Sequence, residues 1–121
     1  MISNSTVLDT RFRVALDRMV GAMPFVVGKK AGCADGTAVR FDVDGPGDDA
    51  RAFTVAVESG RAKPVGDDVT PSATLAMAST DFVRLCCGRA TTEQVEAAGG
   101  VRVEGDAAVA RSVLTNMNFM F

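Results

Sequence analysis

The chain has 121 residues, 47% of them hydrophobic and 23% charged, which suits one ordinary globular domain able to bury roughly two-thirds of its unfolded surface and argues against disorder. Thirteen Lys and Arg stand against 15 Asp and Glu with the basic residues scattered, so the sequence carries no electrostatic footprint for nucleic acid or for anionic lipid surfaces. Its longest apolar run, Ala22 to Val27, is far too short to span a membrane, and Met1 to Thr6 has neither the charged flank nor the apolar core of a leader; a cytoplasmic protein without stable membrane insertion is expected.

The predicted elements follow in chain order. Leu8, Phe12, Ala15, Leu16, Met19, Val20 and Met23 recur every three or four residues among Arg11, Arg13, Asp17 and Arg18, which predicts an amphipathic helix over about 6–23. Pro24 disfavours helical geometry at Met23, so the helix is expected to kink or stop there, ahead of a loop closing at Asp35-Gly36. The period then changes to two. Val39, Phe41 and Val43 alternate with Arg40, Asp42 and Asp44, and Phe53, Val55 and Val57 with Thr54, Ala56 and Glu58, giving strands at about 37–44 and 52–58 joined by Gly-Pro-Gly-Asp-Asp at 45–49. Ser59-Gly60 turns the chain into a third strand at about 61–65, where Pro64 points to a sheet edge because it cannot donate to a ladder. A meander is the simplest arrangement of these three.

Leu75 and Met77 alternate with Thr74 and Ala76 in a fourth strand at about 73–78. Ser79 or Thr80 can cap a helix at about 80–87 bearing Phe82, Val83, Leu85 and Cys86, with Gly88 at its left-handed end. Thr91 and Gln94 fit a capping box for a short helix at about 92–98, stopped by Gly99-Gly100. Val101 and Val103 alternate with Arg102 and Glu104 in a fifth strand at about 101–104, and Asp106 caps a final helix at about 107–117 with Val109, Val113, Leu114 and Met117 on one stripe.

The stretch ATLAMASTDFVRLCCGRATTEQVEAAGGVRVEGDAAVARSVLTNM, residues 73–117, resembles the C-terminal half of the sterol-carrier-protein fold: a strand, a helix led by Ser or Thr and an Asp-Phe pair, a Gly, a connecting helix, a Gly-rich approach to a short strand ending in Gly-Asp, and a last helix. It is most similar to the sterol-carrier-like domain at the C-terminus of actinobacterial maleylpyruvate isomerase and DinB-type proteins. The resemblance implies an α+β fold, a five-stranded mostly antiparallel sheet with helices packed over one face and an apolar cavity between, which in several relatives takes sterols or acyl chains. The DinB-type partner carries metal-binding His residues; this chain has no His, so isomerase chemistry does not transfer and a lone non-enzymatic domain is expected.

The chemistry-bearing residues are few. Without His, a nucleophilic triad and most zinc sites are excluded, and neither a metal nor a cofactor is called for. Cys33, Cys86 and Cys87 are odd in number, lack a CxxC spacing and read as structural thiols. Asp48-Asp49 and Asp67-Asp68 lie beside glycines in loops and read as turn formers, while Gly28-Lys29-Lys30 lacks the spacing of a phosphate loop. More informative are five Met and five Phe on converging segments with no Trp or Tyr anywhere, since flexible thioethers and unsubstituted rings suit an adaptable apolar guest. Phe12, Leu16, Met19, Met23, Phe25, Met77, Phe82, Leu85, Val113, Met117 and Met120 are the candidate ligand-binding residues, for a lipid, fatty acyl or sterol-like molecule held weakly and promiscuously. In the resembling fold the last helix lies over the cavity mouth, so residues 117–121, ending in Asn118-Phe119-Met120-Phe121, are expected to act as its lid. The same apolar end would serve as a homodimer or protein contact, and an accessory domain of a separately encoded enzyme is a third reading.

Overall fold

The structure, a computed structural model, describes residues 2–45, 50–66 and 68–118, with side chains from residue 11 onward. The first helix, α1, runs Ile2–Phe25. Pro24 neither ends nor interrupts it: Phe25 keeps right-handed helical backbone (φ −63°, ψ −44°), and the chain winds on as a π-helical segment, Val26–Lys30. This corrects the expected stop at residue 23. The physical reason is burial. Widening the helix, with Ala31 N donating to Val26 O over 2.8 Å, brings Val26 and Val27 together into the core with no exposure, and that outweighs the donor Pro24 cannot supply. The π segment lies so close to the sheet that a Cβ on Gly28 would stand 2.8 Å from Ala62 Cβ.

Strands β1 (Ala38–Asp44), β2 (Arg51–Glu58), β3 (Arg61–Val65), β4 (Ala73–Ala78) and β5 (Val101–Gly105) form one sheet in the order β3-β2-β1-β4-β5. The first three make an antiparallel meander, β4 adds parallel to β1, and β5 adds antiparallel to β4, so the sheet is mixed, with antiparallel pairs in the majority. The β2–β3 hairpin needs only Ser59 (φ 53°) and Gly60 (φ 78°), because two left-handed residues match the twist of the strands they join. Asp35 Oδ1 accepts from Gly60 N at 2.8 Å and holds that turn. Pro64 sits on β3, at the sheet edge.

Registers place Val39 beside Val55 and Ala73, and Phe41 beside Phe53 and Leu75, so one apolar face runs across the sheet. The helices α2 (Ser79–Cys86) and α4 (Ala107–Thr115) cover that face together with α1, and α3 (Thr92–Ala97) bridges α2 to β5. The opposite face carries small and charged residues, among them Thr54, Ala76 and the Arg40 Nε–Asp42 Oδ1 ion pair at 2.9 Å. On the covered side Asp17 of α1 binds Arg51 of β2 at 2.8 Å.

The caps divide between local and tertiary control. Thr91 and Gln94 close the capping box on α3. No side chain caps α2: its N-cap is Ala78, and Ser79 is already helical and buried, contrary to the Ser79 or Thr80 cap expected. Strand β4 runs into α2 without a loop residue, so Ser79 has no extended position from which to cap. On α4, Asp106 Oδ1 accepts from Ala108 N (3.0 Å) and Val109 N (3.2 Å). Asp106→Ala is therefore expected to lower stability by about 1 kcal/mol, and Asp106→Asn by a few tenths, as read from urea unfolding midpoints.

Candidate ligand site

Eight of the predicted residues meet in one cluster beneath the helices. Leu16 and Met23 of α1, Phe82 of α2, Val113 of α4 and Met117 beyond it have no exposure at all, and Met19, Met77 and Leu85 almost none. The sheet supplies the floor. Phe41 and Phe53 stack with centroids 4.8 Å apart and planes 12° from parallel, and Phe82 meets both edge-on at 6.4 Å. Such pairs add about 0.5 to 1.5 kcal/mol each beyond area burial. Phe41 and Phe53 belong to this site although they were not among its predicted residues; their inward positions in two alternating strands were the signal for them.

Three predicted residues fall elsewhere. Phe12 is half-buried: it packs on the cluster and also lines a surface groove of about 370 Å³ with Thr80, Val83, Arg84, Cys87 and Arg89. Phe25 is 52% exposed, a correction to its place in the site. Because the helix continues past Pro24, Val26 and Val27 take the inward positions and Phe25 turns out. Met120 lies outside the described residues, as do Phe119 and Phe121 of the lid expected at 117–121 and Asp48, Asp49 and Asp67.

The groove at Phe12 opens onto residues packed against the cluster. Phe12, Val83 and Cys87 supply its apolar lining and Arg84 and Arg89 its basic residues, with Arg84 Nη1 3.6 Å from Asp81 Oδ1. A second cleft, about 220 Å³, lies between the α2–α3 connection and the end of α4, where the buried Leu85, Ala90 and Leu114 line its wall beside Thr115 and Asn118. Polar contacts hold this end of α4 down. Lys30 Nζ donates to Asn118 O at 3.3 Å and to its Oδ1 at 3.4 Å, and Ser112 Oγ to Ala31 O at 3.3 Å.

The arrangement is poor in reactive groups. Among the described residues no buried side-chain nitrogen or oxygen lacks a partner, and no three His, Cys, Asp or Glu side chains gather as metal ligands do. None of the three cysteines is in a disulfide. Burial pushes the Cys86 thiol up to about 12, with neighbouring Cys87 adding to the rise, and burial raises Cys33 as well. A raised thiol pKa favours the neutral folded form, so its contribution is fully present below the ordinary value of 9.0 and is lost as pH climbs from there toward 12. Between about pH 8 and pH 10 the unfolding midpoint of the parent protein should therefore fall more steeply than that of Cys86→Ala, which removes the linked group.

No helix among the described residues is long and apolar enough to cross a membrane. In three dimensions the chain is similar to several solved structures. The crystal structure of sterol carrier protein 2 like 2 from Aedes aegypti superposes with a TM-score of 0.63 at 14% identity, over 84% of this chain and 95% of that one. Sterol carrier protein 2 from Yarrowia lipolytica, in its apo form, gives 0.53 at 15% identity, over 94% and 91%. The palmitated solution structure of the Aedes protein gives 0.59 at 15%, over 82% and 90%. At these identities the likeness establishes the fold. No curated protein matches the sequence. The sequence pattern of the SCP-2 sterol transfer family matches residues 29–117, which take in the whole sheet and α2, α3 and α4 but not α1, and the chain belongs to that family.

Proposed function

We propose that this protein binds one small apolar molecule, a fatty acyl chain or sterol-like lipid, between its sheet and helices, and carries it without chemical change. The observation that carries the reading is the groove at Phe12: an apolar lining packed against the buried cluster, with Arg84 and Arg89 as its basic residues. A chain threaded there displaces Met and Phe side chains, which move between rotamers at little cost, while an acidic head group stays beside the two guanidinium groups. That chemistry favours a long-chain carboxylate over a neutral sterol. Family membership and the palmitated neighbour of the same fold support lipid as the class of guest. A thiol held protonated by burial supports a binding role over nucleophilic catalysis. We further read the chain as a cytoplasmic carrier related to the sterol-carrier-like domain of actinobacterial maleylpyruvate isomerase, on the motif in residues 73–117.

Binding is expected to be weak and promiscuous. Enclosing about 300 Å² of acyl chain is worth roughly 7 kcal/mol, and ordering the ligand and its wall leaves micromolar to millimolar affinity. With no Trp or Tyr in the chain, the bound state of a fluorescent polyene fatty acid can be followed without protein background. Delipidated protein should bind it, and both palmitate and hexadecanol should displace it. Arg84→Glu combined with Arg89→Glu should weaken palmitate by about tenfold, the loss of roughly 1.4 kcal/mol, and leave hexadecanol unchanged. If neither palmitate, hexadecanol nor cholesterol displaces the probe, the carrier reading is wrong.

A further inference from the structure

The two edges of the sheet are protected very differently. Edge strand β3 carries Arg61, Lys63 and Pro64, the kind of residues that discourage a further strand from adding. Edge strand β5 carries Val101-Arg102-Val103-Glu104-Gly105, with no Pro and no net charge, and is exposed along its length except at half-buried Val101. Val103 is 41% exposed, one of only three large apolar side chains so placed among the described residues.

The ladder shows which groups of β5 lack a partner in the sheet. Asp106 N donates to Ser72 O at 2.8 Å, in step with the β4–β5 register that sets Thr74 opposite Glu104 and Ala76 opposite Arg102. Even-numbered residues of β5 thus turn their amides and carbonyls toward β4, and Val101, Val103 and Gly105 turn theirs outward. Arg102 and Glu104 project from the open face of the sheet and make no ion pair with a described side chain.

We infer that β5 pairs antiparallel with β5 of a second copy of this chain, about a two-fold axis at Val103, joining two sheets into one. In this register Val103 exchanges both backbone bonds with its counterpart, and Val101 does so with Gly105 of the second copy. Arg102 then lies directly opposite Glu104 of the second copy, and Glu104 opposite its Arg102. These are non-hydrogen-bonded positions, where Cα atoms approach to about 4.5 Å and opposite charges interact best. The charge pattern selects the register. Centring on Val101 leaves Arg102 facing Gly100, and centring on Gly105 sets Glu104 against Asp106, a like-charge clash.

On the other face the two Val103 side chains meet beside a groove of about 190 Å³ formed with Ala107, Leu114, Glu96 and Arg111. The Arg111 Nη2–Glu96 Oε1 ion pair at 2.9 Å leaves Arg111 neutralised at the seam. An interface built on five-residue strands falls at the small end of specific contacts, so the dimer is weak and concentration-dependent. The inference does not depend on the lipid-carrier reading: it shares only Val101 and Leu114 with the apolar cluster, and the charges that test it, Arg102 and Glu104, lie outside that site.

Charge reversal tests it. Sedimentation equilibrium of the whole chain at low ionic strength should show a monomer–dimer equilibrium. Arg102→Glu and Glu104→Arg, each alone, set like charges opposite one another twice and should weaken it by at least about tenfold. The double variant Arg102→Glu/Glu104→Arg restores opposite charges and should restore dimerisation to within a few-fold. Both positions are exposed, and circular dichroism confirms that each variant folds. The inference is overturned if the parent stays monomeric at every concentration, if the single variants dimerise like the parent, or if the double variant fails to recover. Dimerisation abolished by removing Phe119 to Phe121 but indifferent to the charges would overturn it too.

Discussion

Phe82→Ala is expected to lower the free energy of unfolding by about 3 to 5 kcal/mol, a large share of the roughly 5 to 15 kcal/mol that stabilises a domain of this size. The side chain has no exposure and comes from the first half of α2, where its ring stands edge-on to both Phe41 and Phe53. Truncation forfeits the transfer free energy of the ring, two aromatic contacts and the packing of whatever cannot collapse into the space. Urea unfolding of Phe82→Ala beside Leu16→Ala, Val113→Ala and Met117→Ala makes the comparison informative, since all four sites are equally buried. Losses of full size at every position mark a solid interior that a guest must displace. A loss at Phe82 below about 1.5 kcal/mol shows that space already exists beside the ring, and adding palmitate should then stabilise the parent more than the variant.

Gly105→Ala is the second large effect, by a different physical route. Gly105 ends β5 with φ +85°, and a Cβ there would overlap the Ser72 carbonyl oxygen and lie 3.2 Å from Ala73 Cα. Both obstacles are backbone of the neighbouring strand, so no side-chain rotation relieves them. The left-handed conformation alone costs an L-residue about 1 to 2 kcal/mol. The clash forces β5 away from β4 at the point where Asp106 N meets Ser72 O, and the total is expected to exceed about 3 kcal/mol. Gly99→Ala is the control. Its φ of +72° is as strained, but nothing lies within 4 Å of the new carbon, so it should lose only the conformational part. Melting temperatures of the two variants, separated by about 8 °C or more, would isolate the clash, and equal shifts would refute it.

Much of the architecture is written locally. The alternation in residues 39–43, 53–57 and 73–77 assigns both the strands and their apolar faces, because side chains on a strand point alternately to its two sides. Thr91 with Gln94, and Asp106 ahead of α4, mark helix starts through hydrogen bonds that span only three residues, so neighbours in sequence suffice to specify them. The sterol-carrier resemblance rests on the same short-range punctuation, which is why it speaks to the fold more firmly than to the ligand. Leu16, Met23, Phe82 and Met117 are legible as apolar stripes, and they do meet.

What the tertiary structure decided is everything set by long-range burial. That β4 lies parallel to β1 depends on contacts between residues more than thirty positions apart, to which no local pattern corresponds. Helix α1 runs past Pro24 because burying Val26 and Val27 against the sheet is worth more than one missing hydrogen bond, and the same winding turns Phe25 outward. Ser79 is helical, with no capping role, because the sheet hands the chain directly to α2. The Phe41, Phe53 and Phe82 cluster and the exposed edge of β5 likewise exist only once strand order is set, since a residue's neighbours across a sheet or beneath a helix are chosen by the whole chain's burial and not by the residues beside it in sequence.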